Sequence, residues 1–101
     1  MTHAALPPIT ERRFQAQIEQ LAKLNGFRTY HTWTSIHSTR GFPDLVLLRP
    51  PRLIFAEVKR EAGKLSPAQA EWVADLTACW GVEVRVWRPS DWDNIVEVLK
   101  R

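Results

Sequence analysis

Three charged residues interrupt the most apolar stretch of the chain, and their types suit phosphate chemistry. In GFPDLVLLRPPRLIFAEVKR, Gly41 to Arg60, the residues Asp44, Glu57 and Lys59 sit among Leu, Val, Ile and Phe. The runs from Asp44 to Arg49 and from Leu53 to Lys59 read as two strands, and a hairpin through Arg49, Pro50, Pro51 and Arg52 is the simplest connection. Residues directly opposite in an antiparallel pair point to the same side of the sheet. Asp44 and Glu57 are equidistant from the Pro50–Pro51 link, so a symmetric turn sets them opposite each other; Lys59, two residues past Glu57, points the same way. Pro-Pro is not a favoured two-residue hairpin turn. A symmetric four-residue loop preserves the register, whereas an asymmetric one shifts it.

Burying two adjacent carboxylates is costly unless something neutralises them, and one lysine does not balance two anions. A divalent cation does. Mg²⁺ is typically held by one or two carboxylates, with water and substrate phosphate completing about six oxygens. Singly, Asp44 could open a strand, and Glu57 and Lys59 could be a solvated pair at a strand end. Their convergence is what points to a metal-assisted phosphate site.

The surrounding elements must hold that convergence. Residues Met1 to Ile9 read as a flexible arm, and Thr10 as the start of a helix running to about Asn25. Its apolar positions Phe14, Ile18, Leu21 and Ala22 recur at helical spacing, and Gly26 suits its left-handed end. Phe27 to Trp33 is aromatic and β-branched enough for a strand, followed by a polar loop, TSIHSTRG. The hairpin strands are apolar on both faces, which predicts central strands covered from two sides. SPAQ at Ser66 predicts a capping box with Gln69 and a helix to about Trp80, with Cys79 as a small core residue. Val82 to Arg88 alternates as a strand with one face on the core, and a last helix is expected to be capped by Ser90, with Ile95, Val98 and Leu99 inward. The order is αβββαβα: an α/β fold with a mixed sheet flanked by helices and a short C-terminal helix.

At 101 residues, the chain fits one domain, read as residues 10–101 behind the arm at 1–9. One cysteine excludes an intramolecular disulfide and a Cys-based zinc site. MTHAALPPIT lacks a signal-peptide pattern, and no segment is long and apolar enough to span a bilayer, so a cytoplasmic protein without a membrane partner is expected. A net charge of +3 leans toward polyanionic partners.

Pro43-Asp44 followed across a hairpin by Glu57-Val58-Lys59 resembles the signature of the PD-(D/E)XK nuclease superfamily, whose restriction-endonuclease-like core has the order αβββαβ. TERRFQAQIEQLAKLNGF, GFPDLVL, FAEVKREAGKLSPAQAEW and GVEVRVWRPSDWD more closely resemble the VRR-NUC family, the virus-type replication and repair nuclease domain. The likeness runs from about Thr10 to the end. It implies that Asp44, Glu57 and the backbone carbonyl of Val58 ligate Mg²⁺ or Mn²⁺. Lys59 would orient the attacking water and offset charge on the phosphate, and Glu11 would be the helix acid that reaches a metal directly or through water. Gln69 matches a glutamine that joins the active site in this family, although the capping box explains it fully; an acid in the first turn, Glu11, is likewise favourable on its own.

Arg12, Arg13, Arg40, Arg60 and Lys64 flank the proposed site in sequence and are candidate DNA contacts. Glu19 reads as solvated helix face, and His31 as a surface or packing histidine. Trp33, Trp87 and Trp92 are candidates for base stacking or a subunit interface. The resemblance implies a metal-dependent DNA endonuclease, one that cleaves branched DNA such as Holliday junctions as a homodimer in a bacterial or phage-infected cytoplasm, with no nucleotide cofactor. A less selective flap or duplex nuclease or nickase, a non-catalytic nucleic-acid-binding domain and a protein interaction module are the competing readings.

Overall fold

The computed structural model describes residues 8–33 and 39–101; most of the proposed arm and the first five residues of the polar loop lie outside the described residues. Helix α1 spans Glu11–Leu24, with Thr10 as N-cap accepting from the Arg13 amide. The chain leaves it through Gly26, whose φ of +86° is a conformation L side chains rarely adopt. Strand β1 is Arg28–His31, β2 Leu45–Arg49 and β3 Arg52–Val58. Helix α2 is Pro67–Thr77, β4 is Glu83–Trp87, and a 3₁₀ turn, Pro89–Asp91, leads into α3, Trp92–Lys100.

The four strands lie in the order β1-β2-β3-β4, antiparallel through β3 and parallel between β3 and β4, with α2 as the crossover. The hairpin turn is the two-residue Pro50-Pro51, whose peptide bond is cis. Pairing from Arg49 with Arg52 to Leu45 with Ala56 is symmetric about that link, so the expected register holds.

One face of the sheet is dry. Leu45, Leu47, Ile54, Ala56, Val58 and Trp87 meet Phe14, Ile18 and Ala22 of α1 and Ile95, Val98 and Leu99 of α3 in a single buried cluster. At its lower edge Arg52 forks onto both Glu83 oxygens (2.8 Å each), donates to the Val98 carbonyl (2.8 Å), and lies 5.5 Å from the centre of the Phe27 ring. The guanidinium holds the Glu83 carboxyl below its ordinary value, so this pair's contribution fades as pH falls through that lowered pKa.

The opposite face departs from the expectation of strands covered on two sides. Val46, Leu48, Leu53, Phe55, Val84 and Val86 point there by strand parity, yet all are only half-buried, and α2 itself buries no residue. One eleven-residue helix is too small to roof four strands. Three local expectations also change. Helix α2 ends at Thr77, and Cys79 is exposed rather than in the core because it falls in the turn after the helix. Asp91, not Ser90, stands at the cap position of α3, because the 3₁₀ turn takes up Ser90. Strand β4 meets the core as expected through one face, with Trp87 buried, while Val84 and Val86 on the other are half-buried.

Truncating Ile54, fully buried at the centre of the dry face, should cost about 3 kcal/mol, and Ile54→Ala should lower the midpoint of thermal unfolding by roughly 10–20 °C. Differential scanning calorimetry checks it; a change within 2 °C would place the core elsewhere.

Candidate active site

The charged residues gather where β2 begins and β3 ends. The register that pairs Leu45 with Ala56 carries on to set Asp44 opposite Glu57. Asp44 Oδ2 accepts from the Val58 amide (2.9 Å), which ties its carboxylate to the last residue of β3. Glu57 is 1% exposed, the one buried charged residue among the described residues. Its Oε1 accepts from Gln69 Nε2 (3.1 Å), while its Oε2 is buried with no partner.

Burial pushes the Glu57 carboxyl up to about 9; the hydrogen bond and negative charge of Asp44 add to this, Lys59 opposes it, and Glu11 adds a smaller rise. Three of the residues singled out in the sequence, Asp44, Lys59 and Glu11, therefore act on a fourth, Glu57. Gln69 is the fifth, and both of its readings hold. Its Oε1 accepts from the Ser66 amide (2.8 Å) and its own amide donates to Ser66 Oγ (3.2 Å), closing the capping box. With the carboxamide oxygen held by Ser66, its NH₂ group is aimed at Glu57.

The segment before Asp44 is clamped from two sides. Thr32 donates from its amide to the Asp44 carbonyl (2.9 Å) and from Oγ1 to the Pro43 carbonyl (3.0 Å). On the other side Trp72 Nε1 donates to the Arg40 carbonyl (3.2 Å), and the Phe42 ring sits edge-on to Trp72 (5.0 Å) and to Phe55 (6.1 Å). Gly41, at φ +86°, lies so close to α2 that a Cβ would stand 2.6 Å from the Ala68 carbonyl carbon. None of these supports has a signal in sequence beyond the Gly-Phe-Pro-Asp string itself.

A model of the VRR-NUC domain matches residues 9–91. The chain belongs to the VRR-NUC family. A solved structure titled "VRR_NUC domain protein" superposes with a TM-score of 0.69 over 93% of this chain and 88% of the other, at 21% identity, which bears out the fold. No curated protein is similar enough in sequence to match. The residues assembled above thus belong to a VRR-NUC domain, a domain of a nuclease-type family, and the match covers Glu11, Asp44, Glu57, Lys59 and Gln69.

The remaining candidates fall less uniformly. Arg12, Arg13, Arg40, Arg60 and Lys64 are all exposed, as phosphate contacts must be. Glu19 is not a solvated residue: its Oε1 lies 3.0 Å from His31 Nδ1 and it is largely buried, so His31 is a packed, paired histidine. Trp87 is buried and Trp92 packs against the core, which removes both as stacking surfaces; Trp33 remains, 74% exposed. Among the described residues no helix is long and apolar enough to cross a membrane.

Three substitutions separate the support of the site from its buried carboxyl. Gly41→Ala should lower the unfolding midpoint by roughly 10 °C, because backbone strain and a backbone clash combine there; Gly26→Ala, with the same φ but only an ordinary 3.5 Å contact, should lower it less. Equal shifts would mean that the clash is relieved without cost. Glu57→Gln addresses the raised pKa. A folded-state pKa of about 9 against an ordinary 4.5 means that stability is complete below the lower value and is lost as pH rises toward the upper one. In chelator, Glu57→Gln should therefore unfold roughly 10 °C above the parent at pH 8, with the gap closing near pH 4. A gap that does not depend on pH would overturn the assignment.

Proposed function

We propose that this VRR-NUC domain is a divalent-metal-dependent DNA endonuclease that hydrolyses phosphodiester bonds in branched DNA. The observation that carries the reading is the buried Oε2 of Glu57, which no N–H donor meets, beside an Asp44 carboxylate that can hydrogen-bond to Glu57 only through a shared proton. A buried carboxylate oxygen with no donor costs stability unless a ligand meets it. That deficit, together with the all-oxygen chemistry of the pair, fits Mg²⁺ or Mn²⁺. Among the described residues no cluster of three or more Asp, Glu, His or Cys stands ready to hold a metal. The proposed ligand set is therefore lean: Asp44, Glu57 and the Val58 carbonyl, with Glu11 reaching it through water and the substrate completing it.

When bound, the cation supplies Lewis-acid polarisation of the scissile phosphate. The protein does the rest. Asp44 and Glu57 hold the anionic ends of the site in fixed orientation, the first through the Val58 amide and the second through Gln69. Lys59, on the same side of β3 as Glu57, orients the attacking water and offsets negative charge as the phosphate becomes pentacovalent. The exposed Arg12, Arg13, Arg40, Arg60 and Lys64 hold neighbouring phosphates, which implies affinity that falls steeply with salt.

Branched DNA and a homodimer form one proposal. A single centre cuts one strand, and a two-fold junction needs two centres related by two-fold symmetry. Trp80, 99% exposed, leaves apolar surface available for a second copy.

An immobile four-way junction and the matching linear duplex, each incubated with and without Mg²⁺ or Mn²⁺, test the reading. Paired symmetric cuts that require metal are expected, with Asp44→Asn slowing cleavage at least about 10³-fold and Lys59→Ala about 10²-fold or more. Binding of the junction without cleavage under either metal would leave a DNA-binding domain on the same fold.

A further inference from the structure

The part of the sheet that α2 leaves uncovered is not featureless. Tyr30 of β1, Thr32 just after it, Thr39 and Phe42 of the segment before β2, and Trp72 of α2 line an open cleft of about 410 Å³. It adjoins the catalytic carboxylates. Tyr30 pairs with Val46, and the Thr32 amide donates to the Asp44 carbonyl, so by strand parity Tyr30, Thr32 and Asp44 share one face of the sheet.

The lining is chemically selective. Among the described residues the lining is three aromatic rings and two threonines, with no carboxylate and no cation to match a phosphate or a charged peptide side chain. The Phe42 and Trp72 rings are locked edge-on at 5.0 Å, and the Trp72 indole is pinned to the Arg40 carbonyl, which makes that wall rigid. Tyr30 stands across from it, 60% exposed, a large aromatic residue that the core does not use. A flat, uncharged ring with polar edges fits this combination: the rings offer stacking and the hydroxyls offer hydrogen bonds. The volume is that of a small-molecule site, far short of a duplex.

We propose that the cleft receives one unpaired nucleobase next to the phosphate being cut, stacked on Tyr30 against the Phe42 and Trp72 wall. The inference rests on the nuclease reading and refines it. It gives the domain a way to prefer DNA in which a base is free to leave the stack, at a branch point or in a single strand, over continuous duplex. Exposed Arg40, whose carbonyl anchors the wall, is placed to contact an adjoining phosphate.

The test uses the full chain carrying Asp44→Asn, with 2-aminopurine as the unpaired nucleotide at a branch and, separately, within continuous duplex. Binding should quench the unpaired probe well beyond the paired one. Tyr30→Ala should weaken binding to the branched DNA about tenfold more than it weakens binding to duplex, and Tyr30→Phe, which keeps the ring, should restore most of the difference. Equal losses on both DNAs, or no quench, would overturn the cleft. Sedimentation of the same variants checks the other occupant: a shift from dimer to monomer in Tyr30→Ala with equal losses assigns the face to a second copy of the chain. Cleavage by the otherwise unaltered chain is read in parallel. Cutting without base-dependent discrimination removes the cleft and keeps the nuclease, quench without cutting removes the nuclease and keeps the cleft, and no binding to either DNA removes both.

Discussion

The register of the β2–β3 hairpin governs the site because strand side chains alternate with a period of two. A slip of one residue would turn Asp44 or Glu57 to the opposite face and drive a charge into the cluster of Leu45, Ile54 and Trp87. The same alternation that buries Leu47 and Ile54 against α1 and α3 therefore sends Asp44 and Glu57 together to the other side. Packing and the geometry of the candidate site are specified by one choice. A core that rejects the wrong register also rejects every arrangement in which the carboxylates are apart.

That choice puts Glu57 where a carboxylate is least at ease, and its neighbours are arranged around the discomfort. Gln69 meets one oxygen and leaves the other, so the site is satisfied by half. The raised pKa has a related origin: burial disfavours the charged carboxyl, and a proton shared with Asp44 satisfies it when no other donor does. Helix α2 contributes little to the core, yet its first turn holds Gln69, its next turn holds Trp72, and Ala68 lies against Gly41. Its role in the fold is to fix the entry to Asp44 and the partner of Glu57.

The asymmetry of the sheet follows from this division. Two helices seal one face and make the domain stable; a single short helix on the other face serves the site and leaves β1 and the upper part of β2 open. Tyr30 and the Phe42–Trp72 wall occupy that opening. The proposed chemistry and the proposed recognition can share one end of the sheet because stability is secured on the opposite face.

Much of this was legible from residues alone. The apolar periodicity of Phe14, Ile18 and Ala22, the Ser66–Gln69 capping box, the αβββαβα order and the equidistance of Asp44 and Glu57 from Pro50–Pro51 depend on local chemistry and strand parity, and these the chain carries in its own order. What lay beyond it depends on atoms brought together from distant positions. Cys79 looked apolar in a helical pattern, but α2 ends two residues earlier; Glu19 looked solvated until His31, twelve residues on, came within 3.0 Å. The open face, the clamp of Gly41 on Ala68 and the unpaired oxygen of Glu57 are likewise decided only by tertiary structure, because burial and hydrogen-bond satisfaction are properties of a neighbourhood and not of a residue.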